Sequence, residues 1–292
     1  MYNRYYSSHC WTCCLCTEGQ LVHTLPEGEA VCGVTSFAGK VYLLRDKDRD
    51  QVEVYDINTY HLLRSLTVAY TGQFMPTDMT LCEHYHCVYI GDLTGNCVHR
   101  LDVGLQGAVT RWDVNDYPHS LSVNAAHNVL VTCPFVHIIK EFSLHGDLLR
   151  KLKLFDTVIY PWHAIQTGSG QFIVCHGGRD DPVNRVCMMS DDGSHIVHSH
   201  GGQPGSDAGQ YRCPHHLAVD DNQFVLVADL NNRRVTLLSP TLEYVRQVVS
   251  RDQLKDQPRR LYLDTQHRLL YVAVLRELIG SNAKGHVAVF SV

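Results

Sequence analysis

Apolar residues in this chain come in short runs, set between clusters of Gly, Pro, Asn, Asp and Ser. The stretch 201–240, GGQPGSDAGQYRCPHHLAVDDNQFVLVADLNNRRVTLLSP, shows the pattern most clearly. A Gly-rich loop leads into three runs, Leu217–Val219, Phe224–Ala228 and Val235–Leu238. Asp220-Asp221-Asn222, Asn231-Asn232 and Ser239-Pro240 separate or end them. Short runs rich in β-branched residues, bounded by turn formers, predict antiparallel strands joined by tight turns. Helical periodicity is missing throughout, so the predicted fold class is all-β.

The pattern repeats. A proline opens a unit at Pro76, Pro118, Pro161, Pro214 and Pro258, with gaps of 42, 43, 53 and 44 residues. The Gly-rich connector 201–213 accounts for the long gap, and a further unit without proline starts near Val31. Inner strands are expected after each proline, as at Met79–Leu81, Leu121–Val123, Ala164–Ile165 and Leu261–Leu263. Second and third strands follow, and outer strands are expected at Leu62–Leu66, Leu148–Leu152 and Val245–Val249. Six units of about 44 residues, each able to form four strands, suit radial stacking into a six-bladed propeller spanning residues 1–292 as one domain. Blades are expected to start near 31, 76, 118, 161, 214 and 258. The last unit stops at a third strand, so segment 1–30, through Gln20–Leu25, is expected to supply the missing outer strand and close the ring. Residues 11–16 read as one further strand.

The order Gly-x-Asp-x-Gly-Gln-Tyr, then Pro, then Leu-Ala-Val-Asp, then Val-Ala-Asp-x-x-Asn-x-Arg-Val in 205–235 resembles an NHL repeat, the blade unit of a β-propeller family. The resemblance is clearest over 201–240, continues at 76–105 and 118–150, and rests on the strand pattern alone at 31–70 and 258–292. It implies four-stranded blades and a binding role. Relatives include the C-terminal propellers of TRIM-type ubiquitin ligases and the lyase half of peptide-amidating enzymes. No RING or B-box pattern accompanies it here. The amidating lyases carry Pro-His on alternate blades, a motif matched by Pro118-His119-Ser120-Leu121 and Pro214-His215-His216-Leu217, with Cys32 where a third His would stand.

Composition narrows the context. No run approaches 18 uninterrupted apolar residues, so no membrane span is expected. The N-terminus has no apolar core long enough for a signal peptide. Twelve cysteines lie mostly inside strand-like runs, which points to reduced, buried thiols in a cytoplasmic setting rather than to disulfides. Cys10-x-x-Cys13-Cys14-x-Cys16 lacks a second ligand pair at zinc-module spacing. A net charge of −5 argues against a broad electrostatic grip on nucleic acid. Phosphate-loop, Gly-x-Ser-x-Gly and His-Glu-x-x-His motifs are missing from the sequence.

Candidate chemistry falls at the residue after each opening proline: Thr77, His119, Trp162, His215 and Arg259, with Cys32 in the first unit. Cys32, His119 and His215 sit on alternate units and could converge on zinc in the central channel. The plainer reading bonds these His residues to backbone or water. Arg233, Arg234 and Arg185, beside Asn residues, are candidates for a rim site together with Trp162 and Arg259; blade-to-blade bonding is the structural alternative. His195, His198 and His200, and Cys82 with His84 and His86, are expected to be solvated. Three functions follow. The first is a non-enzymatic platform for protein or peptide partners, with substrate recognition in a ubiquitin-ligase setting and no required cofactor. The second is a zinc-dependent lyase or hydrolase, and the third an RNA-binding rim.

Overall fold

The computed structural model describes residues 18–46, 51–68, 73–104, 108–276 and 283–292. The cysteines at 10–16 and the strand expected at 11–16 lie outside these residues. Six four-stranded antiparallel sheets follow one another in chain order around a ring. The inner strands are Val31–Phe37, Pro76–Cys82, Ser120–Val123, Pro161–Gln166, Pro214–Val219 and Gln257–Asp264. These define blades 1 to 6, and they start where the proline spacing places them.

Short strands form here because polar side chains close the turns between them. Asp56 Oδ1 accepts from the Asn58 and Thr59 amides, Asn124 Oδ1 from Ala126 and Asn128, and Asp220 Oδ1 from Asn222 and Phe224. Asx geometry of this kind satisfies amides that a longer strand would have paired. The connector before blade 5 is likewise tied down. Arg234 donates to the carbonyls of Ser206, Asp207 and Gln210, and Asn232 donates to that of Gly205.

Gln20–Glu29 pairs antiparallel with Lys284–Ser291 as the outermost strand of blade 6. The ring is therefore closed by the N-terminal strand, as expected. Leu25 on that strand is fully buried against blades 6 and 1. The core consists of separate apolar clusters, one at each blade-to-blade interface. Two elements depart from the all-strand expectation: Leu230–Asn232 forms a short 3-10 turn, and Arg251–Leu254 forms a single α-helical turn, capped by Ser250 and bonded through Gln253 to Gly19. The eight cysteines among the described residues are all buried and none is in a disulfide. No helix among the described residues is long and apolar enough to cross a membrane.

Candidate functional site

The channel is built from the first residues of the inner strands, and a β-bulge governs them. Pairing with the second strand skips one residue at Cys32, Thr77, Trp162, His215 and Arg259. A bulge breaks the strict alternation of a strand and re-aims the extra side chain. Two successive residues of each blade then serve the hub. The first, here called position 1, is the residue following the opening proline; position 2 is the next.

Position 1 stitches neighbouring blades near the channel mouth. Thr77 Oγ1 donates to Pro118 O at 2.6 Å, and His119 Nδ1 lies 3.0 Å from Trp162 O. A carbonyl can only accept, so His119 Nδ1 carries the proton and Nε2 keeps its lone pair. His215 Nδ1 lies 3.1 Å from each of two groups, the carbonyl of Arg259, which can only accept, and Nη1 of Arg260, which can only donate. The two imidazoles have ring centroids 5.3 Å apart.

Position 2 seals the hub. Inner strands expose an unpaired edge to the channel, and its amides need acceptors. Asp78 Oδ2 accepts from Leu121 N at 2.8 Å, His163 Nδ1 from Leu217 N at 3.2 Å, and His216 Nδ1 from Leu261 N at 3.3 Å. Each bond crosses to another blade. Blade 1 contributes Gly33 here, with no side chain. Across that gap Arg260 of blade 6 reaches blade 2, meeting Asp78 Oδ1 at 2.9 Å and donating to Thr77 O at 2.6 Å. Arg260 and Asp78 are each 1% exposed.

This network sets the protonation states. Burial alone would raise the Asp78 carboxyl, but Arg260, with His216, outweighs it and holds the group well below the usual range. Burial, reinforced by Arg260, pushes His119 down to about 3 and His215 well below its ordinary value. His163 is lowered by burial and by His216, and His216 by burial against the pull of Asp78.

Asp78, His163 and His216 bring one ligand atom each within 4.8 Å of one another. Their chemistry does not suit a cation. Both imidazoles accept backbone amides at Nδ1, which leaves Nε2 protonated, and Arg260 already neutralises the carboxylate. Cys32, His119 and His215 do not form a ligand-distance cluster among the described residues. His119 and His215 meet, whereas Cys32 packs in the apolar interface of blades 1 and 2, where burial pushes its thiol up to about 11.

Around the two histidines lies a closed circuit of rings. Tyr117 meets Phe135 edge-on at 4.9 Å, Phe135 meets Tyr160 at 6.3 Å, and Tyr160 stacks on Trp162 at 6.3 Å. Trp162 stacks on His215 at 5.5 Å, His215 meets His119, and His119 stacks on Tyr117 at 6.3 Å. Phe135 is 58% exposed, and Tyr160 is exposed beside it. Trp162 is fixed by an indole N–H bond to Gly177 O at 2.8 Å. Arg259, half-buried, is close enough to contribute to lowering both imidazoles.

The remaining rim candidates divide. Arg234 is committed to Asp229 and to the connector, and Arg233 donates to Lys255 O at 2.9 Å. Arg185 is half-buried beside His176. His195 and His198 are exposed, His200 stacks near Tyr244, and His84 stacks on His127. From the opposite face a cavity of 270 Å³ reaches the far side of His163 and His216, lined also by Thr35, Thr80, Ser122 and Tyr262.

No protein-family model matches this chain, and no curated protein matches it in sequence. Solved structures do. Virginiamycin B lyase from Staphylococcus aureus is similar at a TM-score of 0.62 and 11% identity, over 92% of this chain and 88% of that one. The β-propeller domain of Cps50 (Swd1) from Myceliophteria thermophila is similar at 0.61 and 11%, over 94% and 99%. A chain of Kuenenia stuttgartiensis hydrazine synthase is similar at 0.63 and 11%, over 87% and 78%. At this identity the likeness concerns the propeller fold.

Proposed function

We propose that the chain is a binding platform whose channel mouth takes a peptide segment of a protein partner. The closed circuit of six rings, with Phe135 and Tyr160 standing out to solvent, carries this reading. Exposed aromatic rings on a rigid scaffold supply contact area at low entropic cost. His119 adds specificity, since its Nδ1 bond to Trp162 O leaves Nε2 as an acceptor for a peptide N–H. Arg259 would favour an acidic residue nearby. The NHL resemblance favours, by analogy with TRIM relatives, substrate recognition for a ubiquitin ligase, with catalysis on another chain.

A lyase reading draws on the structural neighbours, one of which is a catalytically inactive His-to-Ala variant of virginiamycin B lyase with quinupristin. Of the mouth imidazoles, His119 is pushed by burial and Arg260 down to about 3, which makes it a poor general base near neutral pH. An RNA reading needs unpaired basic groups. Arg45, Arg150, Arg234, Arg260 and Arg276 are each bound to a carboxylate.

Selection of displayed peptides on the native protein tests the proposal. Peptides should be enriched that lose binding on Trp162→Ala and Phe135→Ala and keep it in the presence of a chelator. Peptides indifferent to both substitutions, or dependent on a divalent ion, would overturn it.

A further inference from the structure

One register position recurs as a polar pair at the end of the second strand. In blade 5 Asp229 opposes Arg234, and Arg234 Nε meets the carboxylate at 2.9 Å. In blade 1 the equivalent of Asp229 is Arg45, which meets Glu53 at 3.1 Å. In both blades opposite charges meet inside the fold. Blade 2 has no such opposite-charge pair. Asp92 opposes Cys97, so a thiol stands where blade 5 has its guanidinium. Two residues on, and hence on the same face, is His99.

The three side chains converge. His99 Nε2 lies 3.3 Å from Asp92 Oδ2 and 3.4 Å from Cys97 Sγ, and Sγ lies 3.8 Å from Oδ2. Tetrahedral zinc, with Zn–S of about 2.3 Å and Zn–N or Zn–O of about 2.0 Å, sets its donors roughly 3.3–3.7 Å apart. Asp92 is oriented from behind, where Oδ1 accepts from the amides of Met75 and Thr94, both at 3.1 Å. Carboxylates that ligate metals are commonly held by such outer bonds. Gly95 closes the cluster: a Cβ there would lie 2.6 Å from Asp92 Oδ2 and 2.8 Å from Cys97 Sγ.

We propose that Asp92, Cys97 and His99 bind a zinc ion as a structural site inside blade 2. Charge supports the assignment. Asp92 and Cys97 are 0% exposed and His99 is 1% exposed. One carboxylate and one thiolate cancel a dication, and the imidazole binds neutral, so the buried site has no net charge. Zinc takes the thiolate, so loading displaces the thiol proton to solvent as the Zn–S bond forms. The fourth coordination position is left for a water. The ion does for blade 2 what the Asp229–Arg234 pair does for blade 5.

Cobalt substitution of the full chain tests this. One equivalent of Co²⁺ should resist dialysis and give a thiolate-to-cobalt charge-transfer band with the strong visible bands of four-coordination. Cys97→Ser should abolish the charge-transfer band. Replacing Cys10, Cys13, Cys14 and Cys16 together by Ser should leave it intact. A protein that retains no metal, a band that survives Cys97→Ser, or a band lost with the N-terminal cysteines overturns the proposal. Should Cys97→Ser fail to fold, zinc-edge X-ray absorption on the protein lacking the N-terminal cysteines decides. A single sulfur at about 2.3 Å supports the site, and a shell of nitrogen and oxygen alone overturns it.

Discussion

Arg260→Met is the sharpest test of the hub. The guanidinium bonds Asp78, Thr77 O, Arg259 O and His215 Nδ1, and joins residues 182 positions apart. Methionine keeps much of the volume and removes the charge. Asp78 would then be a buried carboxylate without its cation, a change that costs about 3–5 kcal/mol. Unfolding entropy near 2.1 cal/mol/K per residue gives roughly 0.6 kcal/mol/K for 292 residues, so about 4 kcal/mol lowers Tm by about 7 °C. The pH dependence supplies an independent sign. In the native protein the depressed Asp78 carboxyl contributes stability that is present above its unfolded value of about 3.9 and lost as pH falls toward the folded value. In the variant burial acts without Arg260, the carboxyl rises, and acidification restores stability. The imidazoles move the same way: Arg260 helps to depress His119 and His215, so its loss lets the folded variant take up protons more readily. Calorimetric scans from neutral pH to about pH 4 should show the widest Tm gap at neutral pH and a narrowing gap below it. A loss under about 2 °C, or a gap that stays constant with pH, refutes the reasoning.

Three further outcomes follow from the packing. Phe135→Ala should change stability by no more than about 0.5 kcal/mol, while a selected peptide loses about 2 kcal/mol of affinity, near 30-fold by titration calorimetry. Leu25→Ala on the closing strand should cost about 2–5 kcal/mol in urea unfolding, whereas Val22→Ala, 51% exposed, should stay within about 0.5 kcal/mol. Gly33→Ala places a Cβ 2.4 Å from Met79 Cβ and 2.9 Å from Met79 N, so blades 1 and 2 must part, at about 1–3 kcal/mol. Met79→Ala leaves that Cβ in place and should not rescue Gly33→Ala, whereas Met79→Gly should do so in part, as read by Tm.

The blades were legible because their determinants are local. Pro76, Pro161 and Pro214 each begin an inner strand, where a missing N–H is tolerated, and Asx turns such as Asp220 with Asn222 and Phe224 span only a few residues. Outer strands were harder. Val109–Asp113 is exposed apart from Val109 and Trp112, so it carries little hydrophobic signal. The hub was illegible for a different reason: Asp78 meets Leu121 and Arg260 across 43 and 182 residues. A trace existed. Asp78, Ser120, His163, His216 and Arg260 all fall two residues after an opening proline and are polar where an inner strand should be apolar. Phe135 left no periodic trace, because it lies in a connection rather than a strand, whereas Tyr160, like Tyr117, sits directly before an opening proline.

The bulge divides two tasks between adjacent residues. Position 2 is buried, and at Asp78, His163 and His216 it accepts amides from other blades. Position 1 is skipped by the ladder at Trp162 and Arg259, and there half-exposed side chains can vary without unpairing an inner strand. Arg260 links the tasks. The same guanidinium that neutralises Asp78 packs against His215 Nδ1 and, with burial, keeps His119 neutral. On the proposed reading, loss of Arg260 should weaken peptide binding even where the fold survives, because the His215 ring loses the side chain that holds it at the mouth. Binding that persists unchanged in folded Arg260→Met would separate the two tasks and dismiss this link.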